Sequence, residues 1–516
     1  MKLVQRCMVF LVLILMLALS ACGGSATPQT GITSGENAPT AAAGTEAAAG
    51  TGTEGGAATA AAGTGTEGGT AAETATAGTG TEGAAAEPTP APTSGQTSNY
   101  DAAATKLTFW LMPNGPQPIA NAQAQAEAFT QANPDIGIRV ELIDWSVAYN
   151  QIQTALQGGA DACVTQLGTT WVSGFHPLGG LRPFTAEEIA AMGGEQAFVP
   201  ASWATTRMEG SDEIVAVPWF VDSRALAYRS DILEELNLTP EEAFKDLQSF
   251  EQTLQRVKEA NPDMAPFAHT GRGDWNVIQN ASMFIWNYGG DILTPDNKQA
   301  AFNSDQAVDA VTFAAGLYGR GLTPPDAPEI NTTQAENKLA EGQAFSTVTG
   351  PWTVGNTTAT EEQGGWANRE VAENIAFAEW PAGPGGQFAF VGGSQLAVLN
   401  ECANPDAAVK FVQFLTSQES VIPYTQVAGF LPARVEAQEN ATFTTPSYEV
   451  FKNAAEVGKV PPTIPQWGGV ENVMRTSLEG VWEDVAASPG TPIGRDAVKA
   501  RLDAGAQSVN ELLASE

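Results

Sequence analysis

Asp222 and Arg224 stand two residues apart in "VPWFVDSRALAYRSDIL" (residues 217–233), just after the pair Pro218-Trp219. In an extended chain, residues two apart project to the same side. A carboxylate, a guanidinium and an indole therefore share one neighbourhood inside an otherwise apolar, β-branched run. The charged groups can accept and donate strong hydrogen bonds, and the indole offers a flat apolar face. That is the chemistry needed to hold a ring with C–H faces and a rim of hydroxyls, a carbohydrate. A purely structural Asp–Arg pair is the plainer alternative. The combination recurs: Trp275 follows Asp274 in "GRGDWN", Trp352 lies in "GPWTVGN" and Trp467 in "PQWGG". A core tryptophan needs apolar neighbours and one partner for its N–H; tryptophans among glycine, proline and acids fit the wall of a cleft. By that test Trp203, Trp366, Trp380 and Trp482 read as structural, and Trp286 as either.

Catalytic readings have less support. A glycosidase needs two carboxylates about 5–10 Å apart, and Asp144, Asp222 and Asp274 could supply them. A serine hydrolase would need a nucleophile elbow, and no GxSxG occurs. His176 and His269 are the only histidines, and neither has metal-ligand spacing to a cysteine or an acidic cluster. His176, in "FHPLGG", reads as a packed turn residue. No GxxxxGK[ST] phosphate loop is present. Gly392-Gly393 before Ser394 in "FVGGSQLAVL" would let backbone N–H groups approach a ligand, or simply make a turn.

These side chains need elements to carry them. "KLTFWLM" reads as a strand, "PIANAQAQAEAFTQANP" as a helix stopped by Asn133-Pro134, "IGIRVELIDW" as a strand, "VAYNQIQTALQGG" as a helix ended by glycines and "CVTQLG" as a third strand. This β-α-β-α-β order predicts a parallel sheet with helices on both faces. In such sheets ligands bind beyond the carboxyl ends of the strands. Each of the three strands delivers a tryptophan at or beside that end: Trp110, Trp145 after Asp144, and Trp171 after Thr169-Thr170.

Lys2 and Arg6 precede an apolar run from Met8 to Leu19, which is shorter than the ~20 residues of a spanning helix. A charged start, a short apolar core and small residues before Cys22 read as a secretory signal over residues 1–21. "LSAC" resembles a bacterial lipobox, whose cysteine thiol takes lipid. Residues 22–104 are Ala, Gly, Thr and Glu with Ser and Pro, and "TGTEGG" occurs at Thr51 and Thr64. Such a segment buries no core and reads as a disordered tether, with an end-to-end distance of roughly 50 Å. The rest is long enough for two lobes. The net charge of −34 disfavours nucleic acid or an anionic surface as partner. Cys163 and Cys402 could pair in an oxidising compartment; their separation in sequence favours two separately buried thiols instead.

The ordered series "QLGTTWVSGFHPLGGLRPF", "VPWFVDSRALAYRSDIL", "GDWNVIQNASMFIWNYGGDIL", "GPWTVGN", "GPGGQFAFVGGSQLAVL", "GFLPAR" and "PPTIPQWGGVENVMRTSLEGVWEDV" resembles the extracellular solute-binding proteins of bacterial sugar ABC transporters. It is similar to their maltose/trehalose-binding branch. The resemblance implies a two-lobed α/β protein of the periplasmic-binding type II fold, closing on a sugar between its lobes. The chain would cross the hinge three times, near residues 219–222, 390–393 and 430–432. Lobe 1 would then be residues 105–220 plus 391–429, and lobe 2 residues 221–390 plus 430–516. Carried onto this sequence, the resemblance implies that Trp110, Trp145, Thr170 and Trp171 line the first wall. Trp219, Asp222 and Arg224 would sit at the hinge. Asp274, Trp275, Trp352, Gly393, Ser394, Arg434 and Trp467 would complete the cleft. It also implies a monomeric receptor, not an enzyme, with no cofactor or metal, anchored outside the cytoplasmic membrane through lipid on Cys22. Its partners would be a carbohydrate and separate ABC permease subunits. "ADAC" (residues 160–163) departs from the family pattern and leaves the state of Cys163 open.

Overall fold

Strand β2 (Thr105–Leu111) shows how the sequence builds the first lobe. Leu107, Phe109 and Leu111 point to one side, onto Ile119, Ala122, Ala126 and Phe129 of the helix Pro118–Ala132. Trp110 and Met112 point to the other, onto Ala148, Ile152 and Ala155 of the helix Trp145–Gly158. A strand buried on both faces is what a sheet covered by helices on both sides requires. The computed structural model describes residues 94–515, apart from 160 and 273. The expected signal segment, Cys22 and the repeats of the tether lie outside the described residues.

The first lobe holds a seven-stranded sheet in the order β1-β3-β2-β4-β10-β5-β11. Strand β3 (Ile136–Leu142) and β4 (Val164–Gly168) run parallel to β2, as the alternating pattern predicts. Strand β10 (Val391–Val398) enters antiparallel between β4 and β5 (Val217–Ser223). The sheet is therefore mixed, with the start of β10 at the carboxyl ends of β4 and β5. Strand β1 (Ser94–Gln96) pairs antiparallel with β3 at the edge. Residues 94–96 were expected to be tether, and the folded chain begins before that boundary. The composition argument missed them because a strand can join an open sheet edge through backbone groups alone.

The second lobe has a four-stranded sheet, β7-β8-β6-β9, made of β6 (Ala225–Arg229), β7 (Ala265–Ala268), β8 (Ala344–Thr349) and β9 (Ile375–Ala378). Its core gathers Phe250, Phe267, Phe284, Phe345 and Trp380, together with Trp467, Met474, Leu478 and Trp482 of the long helix Trp467–Ala486. Membership of the two cores locates the crossings. Val221 and Ala225 belong to the first lobe and Leu226 to the second; Phe390 belongs to the second and Val391 to the first. The third crossing is displaced from residues 430–432. Strand β11 (Leu431–Pro432) pairs with β5, and Phe443, Tyr448 and Phe451 still pack in the first lobe, whereas Ile464 and Trp467 pack in the second. The chain therefore leaves the first lobe between residues 452 and 463.

Cys163 and Cys402 form a disulfide, with their Cα atoms 4.6 Å apart. This corrects the expectation of two separate thiols. Cys163 immediately precedes β4 and Cys402 follows β10, so the antiparallel pairing of Val164 with Val398 brings them together. Sequence separation carries no information about such pairing.

Candidate functional site

The cleft lies at the carboxyl ends of β2, β3 and β4, where the second lobe faces the first. Its floor is set by a buried polar network. Gln166 on β4 donates to Ser394 Oγ (2.6 Å) and accepts from Asn114 Nδ2 (2.9 Å) and the Met112 amide (3.0 Å), and Asn114 also reaches Tyr424 Oη (3.0 Å). Satisfied polar networks of this kind fix a single geometry. Ser394 is 1 % exposed and committed to it, so its hydroxyl positions the floor and does not line the cleft. Gly393 has φ +137°, and a Cβ there would lie 2.2 Å from the Phe220 carbonyl oxygen. The close approach of β5 demands that glycine.

Asp222 and Arg224 meet at the hinge as their spacing predicts. Arg224 Nη2 donates to Asp222 Oδ2 (3.0 Å), to Asn276 Oδ1 (2.8 Å) and to Gln279 Oε1 (2.8 Å), the last two on the helix Asn276–Asn287. Its guanidinium lies 4.6 Å from the Trp352 ring centroid, a cation–π contact. The Trp352 N–H donates to Glu336 Oε1 (2.9 Å), which also accepts from Thr349 (2.6 Å). Burial pushes both carboxyls up. Asp222 rises against the pull of Arg224. Glu336 rises to about 7, with Thr349, Trp352 and Arg224 pulling it back and Asp222 adding to the rise. Two acids thus flank one arginine, and Asp222 Oδ1 and Arg224 Nε remain buried without a hydrogen-bond partner.

The second cluster is aromatic. Trp145 and Tyr149, four apart on one helix, share a face. Each packs edge-on against Trp171, with centroids 5.7 and 5.6 Å away. Trp145 is 37 % exposed and Trp171 only 5 %, so Trp171 backs the wall and Trp145 presents it. Across the seam Trp275 lies 5.8 Å from the Tyr149 ring, and Arg475 lies over the same indole, 5.2 Å from its centroid. Half-buried Thr170 stands at the same seam, opposite Glu471 of the Trp467 helix. Trp275 and Asn276 are consecutive, so one helical turn serves both clusters.

Several expected residues have other duties. Trp110 is buried beneath the Trp145 helix and donates to Glu141 Oε2 (2.9 Å). Trp219, at 1 % exposure, stacks on Tyr424 at 4.2 Å inside the first core. Trp467 is likewise core, in the second lobe. Asp274 spends both oxygens on backbone amides, those of Asn276 (2.9 Å) and Thr332 (2.7 Å), at the starts of two helices. Arg434 is held away from the cleft by the carbonyls of Thr416 (2.9 Å) and Met192 (2.8 Å) and lies over Phe198. Trp352 is clamped by Arg224, Glu336 and Phe430. His176 pairs with Glu213 (3.3 Å) in a short surface turn, and Trp286 donates to Asp291 (3.0 Å) and is core.

The sequence reading missed Tyr149, Asn276, Gln279, Glu336 and Glu471. Helical spacing carried a signal for two of them: Tyr149 is four beyond Trp145, and Glu471 is four beyond Trp467. Glu336 sits in "TTQAENKLAE", which reads as a solvated helix.

A sequence profile of the bacterial extracellular solute-binding protein family matches residues 113–422. The chain is similar to a maltotriose-binding protein of Pyrococcus abyssi, 22 % identical over 396 residues, covering 74 % of this chain and 80 % of that one. It is also similar to a maltooligosaccharide ABC transporter solute-binding lipoprotein of Streptococcus pneumoniae, 20 % identical over 56 % of this chain and 67 % of that one. Among solved structures it resembles the GacH receptor of Streptomyces glaucescens, known unliganded and with acarbose. The TM-score is 0.68 at 21 % identity, covering 80 % of this chain and 99 % of that one.

Proposed function

The chain belongs to the bacterial extracellular solute-binding protein family, and on that premise we propose that it captures a mono- or oligosaccharide between its lobes and delivers it to the permease of an ABC importer. The observation that carries this reading is the pairing of an aromatic seam (Trp145, Tyr149, Trp275) with the hydrogen-bonding cluster of Asp222, Arg224, Asn276 and Gln279 along one cleft. Rings stack on the C–H faces of a sugar, and the charged pair and amides take its hydroxyls. Closure about the three crossings then buries the sugar and shifts the population from open to closed. The maltotriose- and maltooligosaccharide-binding relatives support this substrate class.

The protein acts by binding and not by hydrolysis. Asp274 is used up as a helix cap and Asp222 is tied to Arg224, which is unlike a pair of poised acids. The protein is, on this reading, a monomer held at the outer face of the cytoplasmic membrane by lipid on Cys22. The test is tryptophan fluorescence and thermal melting over a panel of mono- and oligosaccharides and polyols, maltotriose first. A saturable shift with a sugar is expected. No response across the panel overturns the reading, and release of reducing ends from labelled oligosaccharides would replace it with a hydrolase.

A further inference from the structure

Glu471 belongs to neither cluster's hydrogen-bonding machinery, yet it is 4 % exposed. It projects from the Trp467–Ala486 helix, whose Trp467, Val470, Met474 and Leu478 are fixed in the second core. It faces Tyr149 on one helix and Thr170 on the loop after β4, both of the first lobe, as well as Trp467 one turn back on its own helix. The helices come together closely here, for a Cβ on Gly468 would lie 2.5 Å from Tyr149 Oη. Among the described residues no cation faces the carboxyl. Arg475, one turn along, is bound to Glu479 (2.7 Å) and Asn472 (3.0 Å) and covered by Trp275. The Val172–Phe175 and Asn276–Asn287 helices packed on this one carry no ionisable side chain. Asp305 and Asp309 of the helix Asp305–Gly319 are engaged by Arg495, and the Arg501 and Lys499 of the C-terminal helix by Asp484 and Asp503. Glu471 Oε2 is buried without a hydrogen-bond partner.

We propose that closure of the lobes is coupled to proton uptake at Glu471, so that ligand capture strengthens as the medium acidifies. The proposal rests on the sugar-receptor reading for its ligand. Parting the lobes removes Tyr149 and Thr170 and returns the carboxyl to water, where it ionises in the ordinary glutamate range. Closing the lobes buries it, and burial pushes it up to about 8, with Thr170 and Trp467 opposing in part. The closed state therefore binds the extra proton. Its advantage is complete below the ordinary glutamate range and is lost as pH rises through about 8. Glu336 does not share this behaviour, because its partners Thr349 and Trp352 follow it in the same stretch of chain and stay with it.

The test is titration calorimetry with the full chain in buffers of differing ionisation heat, using maltotriose or the tightest sugar from the panel above. Uptake of close to one proton per sugar is expected at pH 6–7, with affinity falling by up to about tenfold per pH unit between 6 and 8. Glu471→Gln should bind with no uptake and a flat pH profile, while Glu188→Gln, at a carboxyl paired with Arg182 outside both clusters, keeps the wild-type uptake. A pH-independent wild-type affinity, or unchanged uptake in Glu471→Gln, overturns the coupling. Absence of any sugar response overturns the receptor reading and shows itself before a proton is counted.

Discussion

The hinge cluster and the aromatic seam sit at the two sides of one helical turn, Trp275-Asn276, and are built on opposite principles. At the hinge, Arg224 is 4 % exposed and joined to three side-chain oxygens and an indole face. Every group there depends on another, as expected of buried charge, which is tolerable only when paired. At the seam the lobes meet through one ring pair, Tyr149 and Trp275 at 5.8 Å, and through Glu471 facing Thr170. Rings can separate and meet again at little electrostatic cost. The difference teaches that rigidity and adaptability are divided: the hinge holds the lobes in register, and the seam makes and breaks contact.

Three substitutions break or sharpen that division. Arg224→Met should cost about 3–5 kcal/mol of unfolding free energy by leaving buried carboxylates unpaired, read from denaturant melts. An unchanged melt would mean that the hinge is not held by charge. Trp145→Ala should cost the melt only about 1 kcal/mol, for lost packing on Trp171 and the hydrogen bond to the Pro113 carbonyl, but weaken sugar binding by about 30-fold, or ~2 kcal/mol, by calorimetry. Equal losses of stability and affinity would make the seam structural like the hinge. Glu336→Gln should have the smallest effect. The Glu336 carboxyl, raised by burial to about 7, lends stability that is complete below the ordinary carboxylate range and lost as pH rises through about 7. The variant should flatten the melting profile over that window by about 1 kcal/mol, and a wild-type profile already flat there would contradict it.

The parallel start of the sheet was legible because β2, β3 and β4 alternate with helices whose apolar faces repeat at 3.6, whereas the antiparallel insertion of β10 between β4 and β5 was not. Chain direction at the crossings was not legible: Leu431-Pro432 reads as well for a hinge as for the edge strand it is. At the site, residue type was legible but direction was not. Trp145, Trp110 and Trp219 look alike in sequence, and only packing decides that the first is exposed while the others are buried. Asp274 looked like a ligand because acid-tryptophan pairs suggest a platform, whereas "GDWN" is equally the start of a helix that an aspartate caps. Glu336 was invisible because its partners Thr349 and Trp352 lie outside its own helix, and the spacing that marks Glu471 gives no sign that the first lobe faces it.

The cystine between Cys163 and Cys402 spans 239 residues of sequence, and strands β4 to β10 lie between its ends. The second lobe's whole sheet is thus an excursion whose exit and return are riveted together. A protease that nicks any loop along residues 164–401 releases nothing: both fragments stay covalently joined and a nicked molecule remains one molecule. A molecule cut once by trypsin within residues 164–401 should therefore run at full size on a gel without reductant and as two fragments with it.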